Sequence, residues 1–128
     1  MVRYLKPGFW RSLNQAWRGL LHTWRTQGHI KFHFVAGISV LCFAWWWGVS
    51  NFEWLILIFA IGCVIGAEIM NTAIEIVVDM VQPNFHPLAG MAKDVAAGAV
   101  LVTTIQAIAI GMIVFFPRLF RFAISMVR

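Results

Sequence analysis

Three long apolar segments alternate with short polar connections along the chain. The apolar segments cover residues 32–49, 52–81 and 89–116. A helix needs about 17–25 apolar residues to cross the hydrocarbon core of a bilayer, so each segment is long enough to span a membrane. The pattern predicts an all-α integral membrane protein with three transmembrane helices, in which residues 1–128 form a single membrane domain.

The connections between the apolar segments predict how the spans follow one another. Ser50 and Asn51 form a very short first connection, so the first two spans are expected to be a tight antiparallel pair. The second connection, residues 82–88, contains Pro83 and Pro87 and cannot be continuous helix. The third span is expected to stop at Pro117.

Residues 8–25 show apolar positions at helical spacing rather than a continuous apolar run. The apolar positions are Phe9, Trp10, Leu13, Ala16, Trp17, Leu20, Leu21 and Trp24. The opposite face carries Arg11, Gln15, Arg18, His22 and Arg25. A helix with one tryptophan-rich and one basic face is typical of helices that lie in the membrane surface. An amphipathic helix packed against protein is the alternative.

Composition and charge support a membrane environment and argue against nucleic acid as a partner. Hydrophobic residues make up 61% of the sequence and charged residues 12%, against about 45–50% and about 25% in soluble domains. The formal net charge of +5 comes mostly from residues that flank the apolar spans, where anionic headgroups attract basic side chains. The chain is therefore expected to contact a lipid bilayer and not nucleic acid.

The distribution of Lys and Arg predicts the orientation of the spans. Seven lie on the amino-terminal side, namely Arg3, Lys6, Arg11, Arg18, Arg25, Lys31 and, after two spans, Lys93. Three lie on the opposite side, namely Arg118, Arg121 and Arg128. Because cytoplasmic segments carry the excess of basic residues, the amino terminus is expected to be cytoplasmic.

A polar stripe occupies the carboxy-terminal half of the second span. Glu68, Asn71, Glu75 and Asp79 fall within about 80° of one another on a helix. Glu68 is expected inside the hydrocarbon core, with Glu75 at the inner interface and Asp79 just beyond it. Lys93 and Asp94, at the start of the third span, are expected at the same level.

Ionisable residues inside a span are costly, so this stripe indicates a functional site, with a hydrogen-bonded structural network as the alternative. Carboxylate and amide oxygens suit Mg²⁺, and a carboxylate at this depth suits a general base. The sequence has no glycine-rich phosphate-binding loop. The residues alone therefore leave three possibilities open: a metal site, a proton site or a cation site at the inner membrane face.

The string from Glu68 to Asp79 resembles the ExxNxAIExxVD signature of the prokaryotic diacylglycerol kinase family. Four further stretches are similar to that family, namely Trp17–Leu20, His86–Ala89, Ala92–Asp94 and Ala97–Leu101. The sequences of the stretches at His86–Ala89 and at residues 96–101 are more similar to those of the undecaprenol kinases of Gram-positive bacteria. The resemblance implies a homotrimeric lipid kinase of the bacterial inner membrane, which uses Mg²⁺ and ATP to phosphorylate diacylglycerol or undecaprenol.

The resemblance also implies roles for individual residues. Glu68 corresponds to the catalytic general base and Glu75 to a metal ligand. Asn71 and Lys93 correspond to residues that position phosphate. Asp79 and Asp94, together with Lys93, correspond to the nucleotide-binding region.

One departure from the family pattern concerns the metal site. Where the family usually has a second glutamate ligand shortly before the first span, this chain has Gln27, and residues 1–52 contain no acidic residue. His29 and His33 are four positions apart and offer another ligand, although histidines at this spacing are usually polar anchors. A nucleotide- or lipid-binding relative without catalysis is therefore an alternative to the kinase. A small cation or proton transporter is disfavoured because the acidic residues cluster at one membrane face.

Overall fold

The computed structural model describes residues 8–127 as four helices. They are α1 (Phe9–Thr26), α2 (Gly28–Trp47), α3 (Asn51–Val81) and α4 (Pro87–Val127). The part of the chain so described contains no strand, and α2, α3 and α4 are long and apolar enough to cross a membrane. The predicted all-α fold, with one amphipathic helix before three spans, is confirmed. Arg3, Lys6 and Arg128, which entered the orientation prediction, lie outside the described residues.

Helix α1 is separated from α2 by a single extended residue, Gln27, with φ −106° and ψ 120°. Its apolar face borders an open groove of about 430 Å³ beside α2 and α3. The groove is lined by Trp17, Leu20, Leu21, Trp24, Ile30, Phe34, Ile65 and Ile69. Trp24 makes an edge-to-face contact with Phe34 at 5.3 Å between ring centroids. The apolar side of α1 thus faces the start of the first span.

The connection between α2 and α3 is as tight as the sequence predicted. Gly48 ends α2 in the left-handed conformation, with φ 60° and ψ 50°, which a glycine adopts without strain. Ser50 and Glu53 then form a capping box, in which the Ser50 amide donates to the Glu53 carboxylate at 2.8 Å. The antiparallel α2–α3 pair is therefore fixed by local hydrogen bonds as well as by packing.

The third span does not end at Pro117, and this prediction from the sequence is wrong. Helix α4 continues through Pro117 to Val127, for a length of 41 residues. A proline inside a helix removes one backbone donor, but membrane helices tolerate it where other groups satisfy the freed carbonyls. Pro117 removes the donor that would bond to the Ile113 carbonyl. On either side of that group, the Arg118 guanidinium donates to the Val114 carbonyl at 2.6 Å and Arg121 Nε donates to the Pro117 carbonyl at 3.2 Å.

Arg118 also joins α4 to the start of α3. Its two terminal nitrogens donate to the two carboxylate oxygens of Glu53, each at 2.8 Å. The two side chains are 21% and 24% exposed, and a two-point pair of this kind is held in a fixed geometry. The pair closes the bundle at the end opposite to the polar stripe of α3.

We expect the Glu53–Arg118 pair to stabilise the helix bundle by about 1 kcal/mol, between the values typical of exposed and buried pairs. Glu53→Gln, Arg118→Met and the double variant form a double-mutant cycle, which thermal unfolding in detergent micelles can measure. Each single variant should melt at a lower temperature than the wild type. The double variant should lose less thermal stability than the sum of the losses in the two single variants. Strictly additive losses would show that the two side chains do not stabilise each other.

Candidate functional site

The polar stripe of α3 lies where α2, α4 and the α1–α2 junction meet this helix. Three of its side chains contact a partner from another element. Glu68 contacts α2, Glu75 contacts the α1–α2 junction, and Asp79 contacts α4. The face predicted from helical periodicity is therefore in contact with α2, with α4 and with the α1–α2 junction.

Glu68 is buried, with 5% of its surface exposed. His33 Nε2, on the second turn of α2, lies 3.2 Å from Glu68 Oε1. Thr72 is also buried, and its hydroxyl donates to the Glu68 backbone carbonyl at 2.9 Å, which leaves the carboxylate free for other contacts. The predicted general base is thus shielded from bulk water and has one imidazole partner.

Glu75 lies two turns farther along α3 and is bound by two amides. Gln27 Nε2 donates to its Oε2 at 3.0 Å, and Asn71 Nδ2 donates to its Oε1 at 3.0 Å. Gln27 is itself the extended residue between α1 and α2. This backbone conformation directs its side chain toward α3, where it contacts Glu75. The structure therefore brings Gln27 to the carboxylate with which the family resemblance associates it.

Asp79 and Lys93 form a salt bridge between the end of α3 and the first turns of α4. Both border a polar cavity of about 240 Å³ formed with the 82–86 connection. In that connection, His86 Nδ1 accepts a hydrogen bond from the Leu88 amide at 3.2 Å. Asp94 is exposed beside Lys93. Two of the predicted nucleotide-binding residues, Asp79 and Lys93, thus line an open cavity at the end of the bundle where the α3–α4 connection lies, and Asp94 is outside its lining.

The oxygen atoms around Glu75 fit a magnesium ion that is bound together with phosphate. Asn71 Oδ1 is buried and has no hydrogen-bond partner within residues 8–127. The Gln27 side chain faces Glu75 with its amide nitrogen, so its oxygen would become a second neutral ligand only after the amide group turns over. Mg²⁺ is commonly held by one or two carboxylates plus substrate phosphates. No group of three or more His, Cys, Asp or Glu side chains in the described range forms a metal site by itself, so phosphate oxygens would supply further ligands.

The sequence did not identify two of the contacts. The sequence offers His33, together with His29, as a metal ligand, but the polar partner of His33 is Glu68, and His29 is exposed. A signal was present in the position of His33, which lies just inside an apolar span. The Glu53–Arg118 pair was not anticipated either, although Glu53 is an isolated acid at the opposite end of α3.

The arrangement separates a shielded carboxylate from a more polar region. Glu68 and Glu75 are about 10 Å apart along the helix axis, and Asn71 lies between them. A reacting group between the two carboxylates would have an apolar environment on one side and amide, carboxylate and lysine groups on the other. This geometry suits a transfer between a membrane-dissolved molecule and a water-soluble one.

Comparison with known proteins identifies the family of the chain. The family model described as prokaryotic diacylglycerol kinase matches residues 14–115. The undecaprenol kinase of Bacillus subtilis (strain 168) is 40% identical over 111 residues, which cover 87% of this chain and 90% of that protein. The diacylglycerol kinase of Escherichia coli (strain K12) is 35% identical over 104 residues, which cover 79% of this chain and 85% of that protein. The chain is therefore a membrane lipid kinase that belongs to the prokaryotic diacylglycerol kinase family.

Proposed function

We propose that this kinase transfers the γ-phosphoryl group of ATP to the hydroxyl group of a membrane lipid alcohol. The observation that carries the proposal is the alignment along α3 of a buried carboxylate, Glu68, with the polar groups at Asn71, Glu75 and Asp79. The alcohol reaches Glu68 from the hydrocarbon side, and the nucleotide reaches Glu75 and Lys93 from water.

The reaction requires one proton transfer and one displacement at phosphorus. Glu68 accepts the proton of the lipid hydroxyl, and the alcohol oxygen forms a bond to the γ-phosphorus. The bond from the γ-phosphorus to the β–γ bridging oxygen breaks, and ADP leaves. Because phosphoryl transfer depends mainly on positioning and on charge neutralisation, one general base and a set of phosphate-binding groups are sufficient.

The polar residues have distinct tasks in this proposal. Asn71 positions the γ-phosphate between Glu68 and Glu75, and Lys93 binds the nucleotide phosphates after exchanging its contact with Asp79. Asp79 and Asp94 line the nucleotide region. Mg²⁺, held by Glu75 and the Gln27 amide oxygen, supplies the charge neutralisation at the phosphates when it is bound.

The acceptor is an undecaprenol-type alcohol in our proposal, with diacylglycerol as the second candidate. The support is the similarity to the Bacillus subtilis undecaprenol kinase, at 40% identity over 111 residues. The deciding experiment incubates the purified full-length protein in lipid nanodiscs with γ-labelled ATP, Mg²⁺ and either undecaprenol or dioleoylglycerol. Label in the undecaprenol fraction is the expected result. Label only in dioleoylglycerol would reverse the choice of acceptor, and no labelled lipid with either would refute the transfer.

We further propose that the amino terminus and the polar stripe face the cytoplasm of a bacterial inner membrane. The bias of basic residues supports this orientation, and ATP is available on that side. A single cysteine introduced at Gln15 in α1 should then be labelled by a membrane-impermeant maleimide only after the cells are opened. Cys42 and Cys63 must be replaced first, because both are free thiols.

We propose a homotrimer, supported by an open small-residue face on α3. Apart from the adjoining backbone of α3 itself, no atom lies within 4 Å of a Cβ added to Gly62 or Gly66, so the protomer leaves room for a close helix neighbour at this face. Chemical crosslinking in native membranes should give species up to three times the monomer mass. Recovery of monomer alone at saturating crosslinker would contradict the trimer.

A further inference from the structure

We infer that His33 is a positioning residue for the phosphoryl-transfer step, which donates a hydrogen bond to Glu68 and directs that carboxylate toward the lipid hydroxyl. This inference rests on the proposed function, in which Glu68 is the general base. It assigns to His33 a role distinct from both the metal ligand and the polar anchor that the sequence left open.

The contact between His33 and Glu68 is shielded from solvent. Nε2 of His33 lies 3.2 Å from Oε1 of Glu68, and the two side chains are 16% and 6% exposed. No other side-chain hydrogen bond or ion pair to this carboxylate occurs within residues 8–127. A hydrogen bond in such an environment is stronger than one in water, and the loss of the donor leaves a buried carboxylate unpaired.

The packing of α2 against α3 fixes the position of His33. Ile30 and Gly37, one turn before and one turn after His33, are both buried and share its face of the helix. A Cβ atom added to Gly37 would lie 2.9 Å from Ile61 Cγ2, so the two helices approach as closely as a glycine allows. The close approach of α2 to Ile61 at Gly37, together with the burial of Ile30, therefore holds the imidazole beside Glu68.

The contact at 3.2 Å also bears on which carboxylate oxygen is available. His33 engages Oε1, and Oε2 is left to accept the proton of the lipid hydroxyl. His33 in addition borders an apolar cavity of about 300 Å³ between α2, α3 and α4, together with Val64 and Thr104. The imidazole thus forms the boundary between the carboxylate and the hydrocarbon side of the site.

The test compares two substitutions that differ in hydrogen bonding. His33→Phe keeps a ring of similar size but has no donor, whereas His33→Gln keeps an amide donor. Steady-state kinetics of the full-length protein in nanodiscs, with ATP, Mg²⁺ and the better of undecaprenol and dioleoylglycerol, give kcat and KM for each variant. We expect His33→Phe to lower kcat about tenfold, with KM for ATP changed less than about twofold, and His33→Gln to stay within about threefold of wild type.

A double-mutant cycle separates positioning from a general structural role. In a Glu68→Gln background, His33→Phe should lower the residual rate less than about twofold, because the base that His33 directs is already absent. A full tenfold further loss in that background would overturn the inference, as would wild-type turnover in His33→Phe or equal losses in the two variants. Where His33→Phe does not accumulate in membranes, His33→Leu replaces it, and failure of both would show that His33 serves folding instead.

The same measurements distinguish this inference from the proposed function. A wild type that transfers no phosphoryl group to either lipid refutes both. A wild type that is active and insensitive to substitution at His33 refutes only the positioning role, and leaves the kinase reaction with Glu68 as base intact.

Discussion

Glu68→Gln should lower kcat for lipid phosphorylation by about 10²–10⁴-fold, the usual contribution of a general base. The substitution preserves the volume of a residue that is 5% exposed, and it removes the atom that accepts the proton. The glutamine oxygen takes the place of the Glu68 oxygen that lies 3.2 Å from His33 Nε2, so the packing of α2 on α3 is retained. Turnover with labelled ATP in nanodiscs measures the effect, and nucleotide binding by calorimetry should change little.

Glu53→Gln provides a matched control on the same helix. It removes a carboxylate about 22 Å along α3 from Glu68, and Glu53 contacts Arg118 and Ser50 but no residue of the candidate site. This control should lose thermal stability and keep kcat near the wild-type value. If Glu68→Gln turns over within severalfold of wild type, the buried carboxylate is structural and the proton must go elsewhere.

Gln27→Glu should lower the Mg²⁺ concentration required for half-maximal activity by about fivefold to tenfold. The side chain already lies 3.0 Å from Glu75 Oε2, so the substitution introduces a second carboxylate directly beside the first. One additional charge about 4 Å from a cation is worth about 1 kcal/mol or more, even where water screens it. Activity measured over a range of free Mg²⁺ at constant ATP-Mg²⁺ gives the comparison.

In the absence of metal, the same substitution should lower the thermal stability of the protein. Gln27 donates a hydrogen bond to Glu75, whereas a second carboxylate would repel it. The Gln27→Glu protein should therefore unfold at a lower temperature than wild type in the presence of a chelator. Addition of Mg²⁺ should raise its melting temperature by more than it raises that of the wild type. This measurement reports on the metal site without depending on turnover.

Gln15→Glu is the matched control for Gln27→Glu. It makes the same chemical change on the exposed polar face of α1, about 18 Å along the helix from Gln27, and should leave the Mg²⁺ dependence unchanged. An unaltered Mg²⁺ dependence in an active Gln27→Glu protein would show that Gln27 is not close to the metal. A wild type that is inert with all lipid alcohols, but active after Gln27→Glu, would instead indicate a binding protein that has lost catalysis.

The sequence alone determined the features that depend on one helix at a time. Hydropathy and length located α2, α3 and α4, because an apolar helix of this length matches the thickness of the hydrocarbon core of a bilayer. Helical periodicity placed Glu68, Asn71, Glu75 and Asp79 on one face, since this property requires only the rise and turn of the helix. The motif over the same residues then indicated the family.

The tertiary structure decided what lies opposite those residues. His33 meets Glu68 because Gly37 lets α2 approach α3 closely, and a helical repeat carries no information about the distance to a neighbouring helix. Gln27 reaches Glu75 because one residue between α1 and α2 is extended, a local conformation that its side chain does not specify. Pro117 lacks a backbone donor, and this property alone predicted that the third span ends there. Yet α4 continues past it, where side chains of the following turn bind nearby carbonyls and Glu53 fixes Arg118 from another helix. In each case the deciding contact joins residues far apart in the chain, or depends on a backbone conformation that packing selects.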